Sequence, residues 1–313
     1  MLASRPLFFL AALLAAGAQA SAGATPADTP VFDLTTTLSS VARSYVELRD
    51  RSPLREVRRI AIVSFVVEYV ESKDATPARR EDREKKSVRS GPATIAIAPD
   101  PDELQSIADT LYDTAVETWR AAGIDVLPPE SVAALPGFAA LKPALTQAPY
   151  RDSTIDDGGS RTSRVVSAHG RPAYDAARTP PESAERALAK ESDVTVASAR
   201  FVVDFLAVRD SHDRLFRRKV TPVYVESIRA PDSGYRLIVP GGAIVAATLA
   251  KPVRAPDSPV AAGAPQDEDD TQDAQGSATA LPAPAYYDQA LRYLGAAQDM
   301  ILAELMRSIP GQR

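Results

Sequence analysis

The residues best suited to acid–base chemistry are the two histidines, His169 and His212. An imidazole titrates near neutral pH, and it can act as a general base when a neighbouring carboxylate orients it. His212 lies between Asp210 and Asp213, whereas His169 lies in the polar run Ser-Ala-His-Gly-Arg-Pro. Neither histidine has a second histidine at the spacing of a metal site, so no metal ligand is predicted. We expect both to be exposed residues of turns or loops.

A second interpretation of His169 is that it serves an enzyme. Asp156 and Asp157 precede it in the polar segment 147–181 and could orient its imidazole in a hydrolase. The sequence has no G-x-S-x-G nucleophile motif, no P-loop and no glycine pattern of a dinucleotide site. We therefore predict no catalytic residue and no cofactor, and a hydrolase using His169 remains the alternative.

The composition excludes several classes of protein and site. The chain of 313 residues contains no cysteine, which rules out disulfides and thiolate-bound zinc or iron–sulfur clusters. It also rules out the lipid-modified cysteine of a lipoprotein. The formal net charge of −5 gives no electrostatic reason to expect nucleic acid as a partner.

The N-terminal residues have the pattern of an export signal. A basic residue, Arg5, precedes the apolar run 7–16, and Ala18-Gln19-Ala20 has the small-x-small form of a cleavage site. The run is shorter than the roughly 20 residues that a membrane-spanning helix needs. We expect residues 1–20 to be a signal peptide cleaved after Ala20, and the mature protein to be periplasmic without a transmembrane segment.

The remaining pattern predicts a single α/β domain over 32–252, preceded by a flexible leader at 21–31. A helix is predicted over 32–51, and Val57–Val70 is apolar on both faces, as in a central strand. Asp100–Gly123 carries the signals of a capped helix, and Ile124–Leu127 follows as a short strand. The order strand, helix, strand is typical of a βαβ unit within a mixed sheet.

Three polar segments and a final helix complete the predicted organisation. Polar excursions are predicted at 73–92, as a charged hairpin tip, and at 147–181. The acidic, proline- and alanine-rich segment 253–284 is predicted to be a disordered linker. Residues 285–310 are predicted to form a helix that packs on the domain. Between them, a helix at 182–190 and strands within 192–249 are expected.

Three stretches of sequence together resemble a known family. They are Arg58–Phe65 (RRIAIVSF), Gly123–Leu135 (GIDVLPPESVAAL) and Ala187–Phe201 (ALAKESDVTVASARF). In order and spacing they are similar to the periplasmic α/β domain of the curli-secretion channel family and its soluble relatives. The resemblance covers 57–140 and 183–309, and Ser192-Asp193 stands where those domains have Gly-Ala-Asp. It implies a fold and an envelope role without catalytic residues.

The expected function is accordingly non-catalytic. We expect a periplasmic protein that acts in cell-envelope assembly or secretion by binding a partner protein of the envelope. The observations behind this expectation are the export signal, the missing catalytic motifs and the long polar segments.

Overall fold

A computed structural model describes most of the chain. It covers residues 29–75, 93–156, 159–175, 180–212, 218–256, 279–280 and 284–309. The α-helices are α1 (Leu38–Tyr45), α2 (Pro101–Ala121), α3 (Pro129–Ala133), α4 (Glu182–Ser192) and α5 (Pro284–Met306). The strands are β1 (Val46–Arg49), β2 (Arg59–Ala75), β3 (Ala93–Ala98), β4 (Asp125–Val126), β5 (Leu145–Thr146), β6 (Tyr150–Asp156), β7 (Gly159–Ser167), β8 (Ala173–Tyr174), β9 (Thr195–His212), β10 (Arg218–Ile228), β11 (Gly234–Ile238), β12 (Ile244–Leu249), β13 (Val253–Arg254) and β14 (Thr279–Ala280).

The two longest strands, β2 and β9, lie side by side and parallel at the centre of a mixed sheet. On the far side of β9 the strands β11, β12 and β1 follow in antiparallel order. On the far side of β2 lie β4, which is parallel, and the antiparallel pair β7 and β6. The prediction of a single α/β domain with a mixed sheet is confirmed.

Helices cover both faces of this sheet. One face carries α1, α2 and α5, whose buried side chains join the larger core with Phe65 and Phe201. The other face carries α3 and α4, which pack on Ala61, Val63 and Val196. A strand between two helical layers must be apolar on both faces, as the sequence of β2 is. Among the described residues, none of the helices combines the length and apolar character required to cross a membrane.

The predicted start and end of α2 are confirmed. The Asp100 carboxylate accepts the N–H of Asp102 at 2.9 Å, and Pro101 occupies the first turn, where no N–H is needed. The helix is followed by Gly123 at φ 72°, a left-handed conformation that costs glycine little. The chain then enters β4, which completes the predicted βαβ unit.

The predicted C-terminal helix is also present and packs on the domain as α5. It begins at Pro284 and ends at Met306, with Leu294, Ile301 and Leu305 fully buried. Its Gln298 amide donates to the carbonyl oxygen of Leu111 on α2 at 2.9 Å. The helix therefore forms part of the main core.

The predicted helix over 32–51 is wrong at both ends, because residues 32–37 are not helical and α1 begins only at Leu38. The helix α1 ends at Tyr45, and the next four residues form β1, which pairs with β12 from Val46↔Leu249 to Arg49↔Ala246. Apolar residues at three- and four-residue spacing suggested a continuous helix, but Val46 and Leu48 also alternate with Glu47 and Arg49. Pairing with β12 favours the strand, because it satisfies backbone groups that lie beside the core.

The segment 147–181, predicted as a polar excursion, supplies β6 and β7 of the main sheet. The prediction of a loop was wrong because one face of β7 carries polar residues that are nevertheless buried. Arg161 and Ser163 of β7 are buried, and Arg161 lies 3.7 Å from the buried carboxylate of Glu68. Polar residues can occupy a central strand where they meet such partners.

The sequence also predicts Ala93–Ala98 as a returning strand that pairs with Val63–Val70; the strand is present as β3, but this pairing is wrong. β3 pairs with β2 from Ser72↔Ala96 to Ala75↔Ala93. Within the predicted linker 253–284, Val253–Arg254 form β13 and Thr279–Ala280 form β14. Residues 1–28, 76–92, 257–278 and 281–283 lie outside the described residues, and with them the predicted signal peptide, most of the leader, the hairpin tip and most of the linker.

Trp119 provides a direct test of the core. Its side chain is fully buried between α2 and the sheet, with its ring 6.5 Å from that of Tyr235. Trp119→Ala removes a large buried side chain and leaves a cavity, so we expect it to lower the free energy of unfolding by about 3–5 kcal/mol. Urea denaturation measures the effect. Glu117→Ala, an exposed change on the same helix, is the control and should change stability by less than about 0.5 kcal/mol.

Glu226 provides a test of pH dependence. This side chain of β10 is buried, and burial raises its pKa well above the ordinary value, against a smaller lowering effect of Gln289. The folded protein therefore holds a proton that the unfolded chain releases as pH rises above the ordinary pKa of a glutamate, so stability falls with rising pH in that range. We expect Glu226→Gln to raise the melting temperature at pH 8 and to leave it almost unchanged at pH 4. Equal effects at the two pH values would contradict this.

Candidate functional site

The site begins with a gap along one edge of β2. On this edge β4 pairs only with Arg59 and Ile60, and β7 pairs with β2 from Val66 onward. Among the described residues, no strand pairs with 61–65 on this edge, while β9 pairs along the other edge. β8 packs beside this stretch without pairing, and the backbone N–H of its Tyr174 donates to Ser64 Oγ at 3.1 Å. On this edge, the backbone of β2 is therefore without a paired strand over five residues.

A β-bulge lies within the gap. The register between β2 and β9 shifts between Ile62 and Ser64. Val63 packs against the layer of α3 and α4, whereas Ile62 and Phe65 both pack in the larger core. The bulge interrupts the alternation of side chains between the two faces of the sheet. Bulges of this kind are common next to functional sites.

A cleft of about 460 Å³ opens over the gap. Volumes of this size are typical of ligand sites in proteins. One wall comes from α3 and the turns that follow it, up to β5, and the other comes from the end of β7, the turn 168–170 and β8. The lining is mostly apolar and comprises Ile62, Val63, Ser64, Phe65, Pro129, Val132, Ala133, Phe138, Lys142, Leu145, Gln147, Ser167, Ala168, Arg171, Pro172 and Ala173.

Arg171 is the most firmly held charge in this cleft. Its guanidinium carbon lies 4.2 Å from the centre of the Tyr112 ring, a cation–π distance. Its Nε donates to the Ala168 carbonyl oxygen at 3.2 Å, and its Nη1 donates to the Tyr112 hydroxyl at 3.3 Å. Within the described chain it forms no ion pair with a carboxylate. The same holds for Lys142, whose side chain is exposed on the opposite wall.

The two hydroxyl groups in the lining are already engaged. Ser64 accepts the backbone N–H of Tyr174 at 3.1 Å. The hydroxyl of Ser167 donates to the carbonyl oxygen of Arg171 and so holds the turn that carries this arginine. Neither serine contacts a base in the described part of the chain, so they support the walls of the cleft.

His169 attaches the turn 168–170 to α2. Its Nε2 lies 3.0 Å from Asp113 Oδ1, and its backbone N–H donates to Asp109. Its ring stands edge-on to that of Tyr112 at 5.4 Å, and its φ of 53° places it in the left-handed region. The side chain is 43% exposed and does not line the cleft. These contacts orient the turn.

The carboxylates beside His169 are those of Asp109 and Asp113, which were not predicted from the sequence. Asp109 and Asp113 lie one turn apart on α2, and this i, i+4 spacing was the available signal. Asp156 ends β6, whereas Asp157 lies outside the described residues. His212 ends β9. In the described ranges, no group of three or more histidine or acidic side chains is arranged to hold a metal ion.

Comparisons with protein-family models, with curated proteins and with solved structures find no significant match to the chain.

Proposed function

We propose that the chain is a non-catalytic periplasmic protein that acts in cell-envelope assembly or secretion by binding a partner protein. The partner contributes an extended segment that enters the cleft beside β2. The observation that carries this proposal is the gap between β4 and β7, which leaves an open strand edge inside a concave, mostly apolar site.

An open strand edge favours an extended peptide over a globular surface. A peptide that runs along an edge gains backbone hydrogen bonds, while neighbouring pockets select its side chains. The five residues from Ala61 to Phe65 span about 16 Å at the rise of a strand, which is room for a short peptide segment. The apolar walls, including Val132 and Phe138, would take one or two apolar side chains of that segment.

The engaged hydroxyls support binding over catalysis. A nucleophilic serine needs a neighbouring base, and Ser64 and Ser167 are instead hydrogen-bonded to the backbone. The alternative hydrolase relies on His169, which faces α2 and lies outside the lining of the cleft. The periplasmic location in this proposal rests on the N-terminal pattern Arg5, 7–16 and Ala18–Ala20.

Site-specific photocrosslinking tests this proposal. A photoreactive amino acid replaces Ala133, an exposed residue that lines the cleft, in the full chain expressed in its native host. We expect an adduct with one dominant envelope protein, which mass spectrometry maps to one short segment of that protein. The matched control places the same amino acid at Glu117, which is exposed on α2 across the sheet.

The control should give no such adduct. The same adduct from both positions, or none from position 133, would contradict binding at the cleft.

A further inference from the structure

We propose that the segment bound in the cleft carries a carboxylate beside an apolar side chain, and that Arg171 recognises this carboxylate. This inference rests on the proposed function and names the chemistry of the bound segment. Its basis is the charge of the cleft and the way in which Arg171 is held.

The cleft has the opposite charge to the chain as a whole. The chain has a formal net charge of −5, yet the lining contains one arginine and one lysine and no acidic residue. Arg171 is partly buried on a mostly apolar wall, where its attraction to an anion is screened less than in open water. An anionic ligand is therefore favoured at this place, and a cationic one is disfavoured.

Arg171 is oriented in advance of binding. The ring of Tyr112 covers one face of its guanidinium. Two of its five N–H groups already donate hydrogen bonds. A carboxylate can accept two parallel N–H bonds from a guanidinium, and such charge-assisted bonds are about twice as strong as neutral ones. Because the arginine is already fixed, little side-chain entropy remains to be lost on binding.

The turn that precedes Arg171 is also held by hydrogen bonds. Ser167 binds the carbonyl oxygen of Arg171, and Gln147 donates to the carbonyl oxygen of Gly170 at 2.8 Å. His169 ties the same turn to Asp109 and Asp113. These contacts explain why a polar turn beside the cleft contains so many hydrogen bonds. These contacts position the Arg171 guanidinium, and a carboxylate is the partner that the described part of the chain does not supply to it.

Lys142 supplies a second, weaker attraction. Its side chain is exposed, so its ammonium group is screened by solvent and salt. We expect it to raise the affinity for an anionic segment without fixing the orientation of the carboxylate. Arg171 is the determinant of specificity, and Lys142 assists it.

Peptide arrays test the proposal with the purified mature chain. One pool of hexapeptides has a central leucine followed by aspartate or glutamate, the other has the same leucine followed by asparagine or glutamine, and flanking positions are randomised. We expect about tenfold stronger binding to the acidic pool and a loss of that preference in Arg171→Gln. The control Arg120→Gln, on the exposed surface of α2, should keep the preference.

Lys142→Gln serves as a second variant, because an exposed lysine can be replaced without disturbing the fold. It should reduce binding to the acidic pool by a few-fold and leave part of the preference. Equal binding to both pools, or a preference that Arg171→Gln leaves intact, would overturn the assignment of Arg171 even where the crosslink at position 133 persists. Binding of octanoate without binding of either pool would overturn the peptide as the source of the carboxylate. The absence of both the crosslink and peptide binding would contradict the proposed function itself.

Discussion

The pairing of two long strands, β2 and β9, determines the rest of the structure. β2 spans 17 residues and is apolar on both faces, so it must be covered by helices above and below. No single neighbour pairs with its whole length. On one edge β4 pairs with residues 59–60 and β7 with residues 66–73, so residues 61–65 are left between them. On the opposite edge β9 pairs with β2 as far as Val70, and β3 follows beyond it. The gap between β4 and β7, and with it the cleft, follows from this mismatch of strand lengths.

Buried charges hold the strands around the gap in register. Glu68 is completely buried on β2, and Arg200 of β9 donates to its carboxylate from one side. On the other side, Arg161 of β7 approaches the same carboxylate at 3.7 Å. Removing one member of such a group would leave an uncompensated buried charge, which is strongly destabilising. A one-residue slip of any of the three strands would have the same effect, so these charges favour the observed register of β7 on β2.

The sequence alone predicted those helices and strands whose local signals agree with their burial in the core. The cap at Asp100, the glycine at 123 and the apolar run of β2 predicted α2 and the central strand, because each has a local physical cause. β1 and β7 were missed, since their strand form depends on partners distant in the chain. The cleft could not be predicted for the same reason. Arg171 looks like an ordinary loop residue until Tyr112, about 60 positions earlier, is placed beneath it.

The most direct test of the account concerns one backbone amide of β2. The carbonyl of Ile60 accepts the N–H of Leu127, so the backbone groups of Ile60 point to the edge that carries the gap. Backbone groups of successive strand residues point to opposite edges, so the N–H of Ile62 points into the gap and that of Ala61 points to β9. Hydrogen exchange measured by NMR on the free protein compares the two amides. We predict that the amide of Ile62 exchanges at least about tenfold faster than that of Ala61, because protection follows hydrogen bonding within the sheet. Equal, strong protection of both amides would mean that the edge is already filled, and the cleft would not be an open site.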